Sequence, residues 1–198
     1  KAFLQDMSRM LVQLKEQYQE INLYLTYTPA GTKDMFADLV AEEFAFFAQE
    51  GPDLGQKMYN ALLKASEENE RQIIIGSDLP ALQPQVISDA VNKLIDNDLV
   101  IGPSQDGGYY LLGTNQPRSF LFSDIVWGHN DVLRATIEAV KDHNLSYETV
   151  ASWSDIDVYP ELTALAEQLI TQKTWECFPE ATAQVITEIL PENEFNNK

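Results

Sequence analysis

Apolar residues recur at two spacings along this chain, and the alternation between them predicts the fold class. Over 2–18, Phe3, Met7, Met10, Leu11 and Leu14 sit at helical spacing, which predicts an amphipathic helix with one buried face. Residues 22–27 alternate like a strand, and Thr28-Pro29-Ala30-Gly31 stops it. The apolar run 44–48 predicts a second strand, turned at Gly51-Pro52. A helix starting at or just after Asp53 runs to about residue 69, with Leu54, Met58, Leu62 and Leu63 as its inner face.

The run 72–75 is β-branched without polar alternation, which predicts a central strand buried on both faces. Pro84 suits the first turn of a helix reaching about residue 95, where its missing N–H costs nothing. Strands follow over 99–101 and 109–113, joined by a loop too short for a helical crossover. Asn130 is placed to cap a helix through about residue 143. A strand over 146–150 and a helix over 160–170 complete the pattern.

Strands thus alternate with helices over most of the chain. This predicts an α/β fold, a three-layer α/β/α arrangement with a mostly parallel, Rossmann-like sheet and one antiparallel strand at Tyr109. Residues 1–170 form the expected domain. Residues 171–198 form a helical extension, with a helix over 181–190 and a polar, frayed tail over 191–198.

Composition narrows the function. The 198 residues include 31 acidic and 13 basic ones, a formal charge of −18. Nucleic acid is excluded as the expected partner, because duplex binding relies on Lys and Arg neutralising phosphates. No apolar run approaches the roughly 18 residues of a membrane span, and no basic-then-apolar leader opens the sequence. Cys177 is the single cysteine, so no intrachain disulfide forms, which is compatible with a cytoplasmic location. With only His129 and His143, a zinc site of His and Cys is not expected.

Three stretches carry candidate chemistry. In Gly76-Ser77-Asp78-Leu79-Pro80 an apolar strand ends in a glycine and a carboxylate, and ligands of open α/β sheets bind beyond such strand ends. Asp78 there either faces a ligand or caps a turn or helix. In Asp106-Gly107-Gly108-Tyr109-Tyr110, Asp106-Gly107 is a turn signal. Gly107 and Gly108 are also suited to offer backbone N–H groups to a sugar or phosphate, and a tyrosine to pack on a sugar face or in the core. In Asp155-Ile156-Asp157 two acids at i, i+2 would point the same way. The alternative is a capped helix start, with Asp157 near the N-cap, Pro160 early and Glu161 in the first turn.

Taken in order, these motifs, with Gly102-Pro103, Leu111-Leu112-Gly113 and Trp127 before a helix, resemble the DUF2064 glycosyltransferase-like proteins. These are relatives of the molybdopterin guanylyltransferase and sugar nucleotidyltransferase group, with a GT-A fold. The resemblance implies transfer of a sugar from a nucleotide-diphosphate donor to an acceptor, assisted by Mg²⁺ or Mn²⁺. It implies Asp78 and Asp157 as metal ligands and Asp106 and Asp157 as catalytic residues. Gly76, Ser77, Gly107, Gly108 and Tyr109 would bind substrate. Oxygen-only ligands suit either ion.

Two departures qualify the resemblance. Such proteins begin with a strand and a loop rich in Gly, Pro, Lys and Arg. This sequence opens in what resembles the following helix, so a fold without that first strand is expected, and no such loop occurs among the 198 residues. Gly128-His129-Asn130 replaces the usual Ser/Thr-rich turn, with His129 either a substrate residue or an exposed residue at a helix start. Two alternatives stay open: nucleotidyl transfer on the same fold, and a degenerate, non-catalytic binding protein. A sheet edge left open would also invite homodimer formation.

Overall fold

The computed structural model describes residues 1–190, so the tail over 191–198 lies outside the described residues. Helix α1 (Ala2–Gln17) buries Met7, Met10 and Leu14, as its spacing predicts. Strand β1 (Leu23–Tyr27) pairs in parallel with β2 (Phe44–Ala48), Leu23 opposite Phe44. A one-turn helix, α2 (Asp34–Ala37), lies between them.

Helix α3 (Leu54–Ala65) is capped by Asp53, whose carboxylate accepts the Gln56 N–H at 2.8 Å. Its inner face differs from expectation. Leu62 is buried with Met58 and Tyr59 packed beside it, whereas Leu54 and Leu63 are exposed. Leu54 is the first helical residue, beyond the sheet's cover, and Leu63 lies about 100° around the helix from Leu62.

The second half supplies a four-stranded sheet ordered β3–β5–β4–β6: β3 (Gln72–Ile75), β5 (Tyr109–Thr114), β4 (Leu99–Pro103) and β6 (Tyr147–Thr149). Strand β5 is antiparallel to both neighbours and β4 is parallel to β6. Strands β3, β4 and β6 therefore run one way and β5 is the expected reversed strand. The buried centre is β4 and β5, where Leu99, Val100, Ile101, Leu111 and Leu112 are fully covered.

Strand β3 is not central. It pairs only with β5 and its three isoleucines are half-buried. The hairpin return of β5 takes the seat between β3 and β4, leaving β3 at the edge of this sheet.

Helices cover both faces. On one side α1 and α4 (Pro84–Lys93) place Met10, Leu14, Ala90 and Leu94 over Val100 and Leu111, with Ile73 and Ile75 alongside. On the other, α3 and α5 (Val132–Asp142) bring Leu62 and Val140 onto Leu99, Ile101 and Leu112, with Ile74. Alternate residues of each strand serve opposite layers. The fold is thus the expected three-layer α/β/α arrangement. A third cluster joins α6 (Tyr159–Thr171) and α7 (Glu180–Ile189) through Leu165, Ala166 and Ile186.

The β1–β2 ladder shares no strand pairing with the larger sheet. The two nevertheless begin side by side. Asn22, just before β1, donates to Asn69 Oδ1 at 2.8 Å, and Asn69, just before β3, donates to the Tyr24 hydroxyl at 3.1 Å. Among the described residues no helix is long and apolar enough to cross a membrane.

Candidate functional site

The loops leaving β3, β4 and β6 meet at one end of the sheet. After β3, the Gly76 N–H donates to the Tyr110 carbonyl at 2.9 Å, extending the ladder by one residue. The chain then leaves the sheet. Gly76, Ser77 and Asp78 are exposed, and Leu79 and Leu82 behind them are fully buried and anchor the loop. Helix α4 has Gln83 at its N-cap and no side-chain cap, so Asp78 does not cap it.

After β4, the chain turns through Asp106 and Gly107. Asp106 Oδ1 accepts the Gly108 N–H at 2.9 Å, and the Gly107 N–H reaches the Ser104 carbonyl at 3.4 Å. Both N–H groups expected to face a ligand are therefore used within the turn, because an Asx turn brings its carboxylate back onto its own backbone. Gly107 has φ +91°, and a Cβ there would overlap the Asn130 carbonyl. Its own carbonyl accepts the Leu133 N–H at 3.0 Å, which fastens the turn to the start of α5.

The tyrosines that follow point inward. Tyr109 packs edge-on against Trp127 in the α3–α5 layer, and its hydroxyl is sealed from solvent. Burial raises its pKa. In this structure Tyr109 is half-buried and packs into the α3–α5 layer, the core alternative of the sequence reading. The Tyr110 hydroxyl donates to the Ala151 carbonyl at 2.8 Å, and burial pushes its pKa up to about 12.

After β6, the chain crosses back over β4. The Trp153 N–H donates to the Pro103 carbonyl at 3.1 Å, and Ser104 bridges to Trp153. The Ser104 hydroxyl donates to Asp155 Oδ1 at 3.4 Å. The Ile156 N–H donates to the Asp78 carbonyl at 3.0 Å, so the first and third motifs are directly bonded. Helix α6 has Val158 at its N-cap. Glu161 Oε2 accepts the N–H groups of Asp157 at 2.6 Å and Val158 at 3.0 Å. The capped helix start foreseen as one alternative is thus made by Glu161, and the exposed Asp157 carboxylate makes no hydrogen bond or ion pair among the described residues.

Asp155 belongs to this group although sequence reasoning gave it no role of its own. Burial raises its pKa, and the charges of Asp157 and Asp106 raise it further, so these three carboxylates share one electrostatic neighbourhood. The i, i+2 spacing in the sequence was the signal that could have found it. Among the described residues, the ion pairs of Arg9, Lys93, Arg118 and Arg134 go to other acids, and none involves Asp78, Asp106, Asp155 or Asp157. His129 is exposed in the turn before α5, and its carbonyl accepts the Val132 N–H at 3.3 Å.

Among the described residues no three His, Cys, Asp or Glu side chains are placed to hold a metal ion by themselves. A closed protein cage is therefore absent there. The donor set fits the other mode, in which one or two carboxylates hold Mg²⁺ together with substrate phosphates and water.

A three-layer fold with uncompensated carboxylates at its strand ends defines an open α/β protein, a class in which ligands bind beyond the carboxyl ends of the strands. Comparison with known proteins makes this specific. Residues 11–129 match the model of DUF2064, "Uncharacterized protein conserved in bacteria", and the chain belongs to that family. It is also similar to a solved structure from Desulfovibrio desulfuricans G20, a protein provisionally named a nucleotide-diphospho-sugar transferase. The two are 30% identical with a TM-score of 0.81, over 92% of this chain and 79% of that one. No curated protein matches the sequence.

Proposed function

We propose that this protein transfers a sugar from a nucleotide-diphosphate donor to an acceptor, with Mg²⁺ or Mn²⁺ held between the donor's phosphates and the carboxylates of Asp78 and Asp157. The observation that carries the reading is the Ile156–Asp78 hydrogen bond. It clasps together two loops whose aspartates are both exposed and free of capping duty. The likeness to a nucleotide-diphospho-sugar transferase supports the donor class.

The bound ion supplies positive charge to a diphosphate leaving group as the bond to the sugar breaks. The chain's own residues do the rest. Asp78 and Asp157 present hard oxygen ligands from two fixed loops. Exposed Gly76 and Ser77 let the donor approach the end of β3 without a large side chain intervening. Asp106 keeps one carboxylate oxygen in its turn and has the other for the sugar or acceptor. Asp155 raises the local negative potential and so strengthens the demand for a cation.

Metal and nucleotide should therefore bind with positive coupling, since each neutralises what the other repels. Calorimetric titration of Mn²⁺ with and without UDP or GDP tests this. The expected result is joint binding that Asp78→Ala abolishes. Nucleotide binding that is indifferent to metal would sink the carboxylate mechanism.

A further inference from the structure

We infer that Glu161 is a positioning residue for Asp157, an inference that rests on the metal-assisted reading above. Three consecutive backbone N–H groups surround this aspartate, and all three are fixed. Ile156 donates to the Asp78 carbonyl, while Asp157 and Val158 both donate to Glu161 Oε2. The backbone that aims the Asp157 side chain is thus held from two directions, by the neighbouring carboxylate loop and by the first turn of α6.

The identity of the cap is what gives this arrangement its consequence. Val158, at the N-cap, has no side-chain acceptor for the orphan N–H groups of a helix start. Asp157 is the carboxylate one residue upstream. Without Glu161 the Asp157 and Val158 N–H groups lose their shared acceptor, and the backbone that carries the Asp157 carboxylate loses its tie to α6. By reaching back from the helix, Glu161 satisfies both donors and fixes the backbone from which the Asp157 carboxylate projects. A residue that only caps would contribute to stability alone. A residue that orients a ligand also changes metal affinity, typically by 10–100-fold when such an outer partner is removed.

The test is Mn²⁺ binding to the whole chain with UDP or GDP present, followed by electron paramagnetic resonance, beside thermal unfolding. Glu161→Ala should weaken Mn²⁺ about tenfold or more. Glu161→Gln keeps an acceptor oxygen at the same reach and should recover most of the affinity. Asp53→Ala removes the cap of α3, and should lower the melting temperature while leaving Mn²⁺ affinity unchanged. If Glu161→Ala does not fold, Glu161→Asp, shorter by one methylene, carries the same comparison. Unchanged affinity in the Glu161 variant, or an equal loss in Asp53→Ala, overturns the positioning role and leaves the metal reading standing. No Mn²⁺ uptake by the unsubstituted chain with either nucleotide removes the metal reading and this inference with it.

Discussion

The carboxylate of Asp6, in the second turn of α1, accepts the backbone N–H of Thr182 at 2.7 Å and that of Ala181 at 3.0 Å. Helix α1 thus caps a helix 175 residues further along the sequence. Arg9 completes the joint, bonding Asp6 at 3.2 Å and Glu180 at 2.5 Å. Helix α7 is packed onto α1 through a buried charge at its N-terminus, where the helix dipole favours an anion.

Asp6→Ala should leave two buried N–H groups without partners and cost about 2–4 kcal/mol, the range for bonds to a charged group plus unmet donors. Urea unfolding at neutral pH measures this. A loss under about 0.5 kcal/mol, the size of an ordinary surface change, would mean that α7 is capped by water instead.

Gly55, in the first turn of α3, lies against the Trp127 indole, and a Cβ there would overlap the ring. Trp127 also contacts Tyr109 and Phe122. Gly55→Ala should displace the indole, shift its fluorescence and cost about 1–3 kcal/mol through overpacking. An unchanged emission spectrum would contradict the close approach.

Among the described residues the buried Tyr109 hydroxyl has no hydrogen-bond partner. Thr136, which lies near enough to affect its ionisation, gives its own hydroxyl proton to the Val132 carbonyl at 2.9 Å. Tyr109→Phe should therefore leave stability within about 1 kcal/mol or raise it, because the lost group made no net bond. Nucleotide and sugar binding should be unaffected. A large rise in KM for a nucleotide-sugar would return Tyr109 to the substrate site.

Asp98 accepts the Ser146 N–H at 3.0 Å, the Ser146 hydroxyl at 2.9 Å and Arg118 at 3.2 Å. The Ser146 backbone bond is the largest cause holding its carboxyl below the ordinary value of 3.8; the Ser146 hydroxyl and Arg118 lower it further. With the folded pKa below the unfolded one, the unfolded chain binds more protons between the two values. The contribution is fully present above the unfolded value and is lost as pH falls through the folded one. Asp98→Asn should be less stable than the parent at pH 7, and the difference should shrink as the pH is lowered below about 3.8. Urea midpoints across that range check the sign.

Much of this was legible in the sequence because local period and turn chemistry are local physics. The helical spacing of Met7, Met10 and Leu14 predicted their burial, and the short loop before Tyr109 predicted the reversed strand. The position of β3 was not legible. Ile73, Ile74 and Ile75 read the same at a sheet's centre or edge, because strand order depends on pairing between distant segments. The loop residues divided in a similar way. Gly107 stands out in the sequence as a turn glycine, but its close approach to Asn130 and the bonding of its N–H and that of Gly108 within the turn rest on contacts that no spacing rule displays. From the sequence Asp157 is open to either a capping or a ligand reading. The cap is made by Glu161, whose reach back to the Asp157 and Val158 amides appears only once the helix start is fixed at Val158.

The separate β1–β2 ladder has a consequence for how the molecule comes apart. No sheet hydrogen bond ties it to β3; the joint is made by side chains, chiefly Asn22, Asn69 and Tyr24. Such side-chain links open at lower free energy than a continuous ladder. The ladder and the larger sheet should therefore open as cooperative units of unequal strength. Amides of 23–27 and 44–48 belong to the weaker one, and those of β4 and β5 report the global unfolding. Protease sensitivity should follow the same division, with first cuts falling around 28–43 while the four-stranded sheet is still intact.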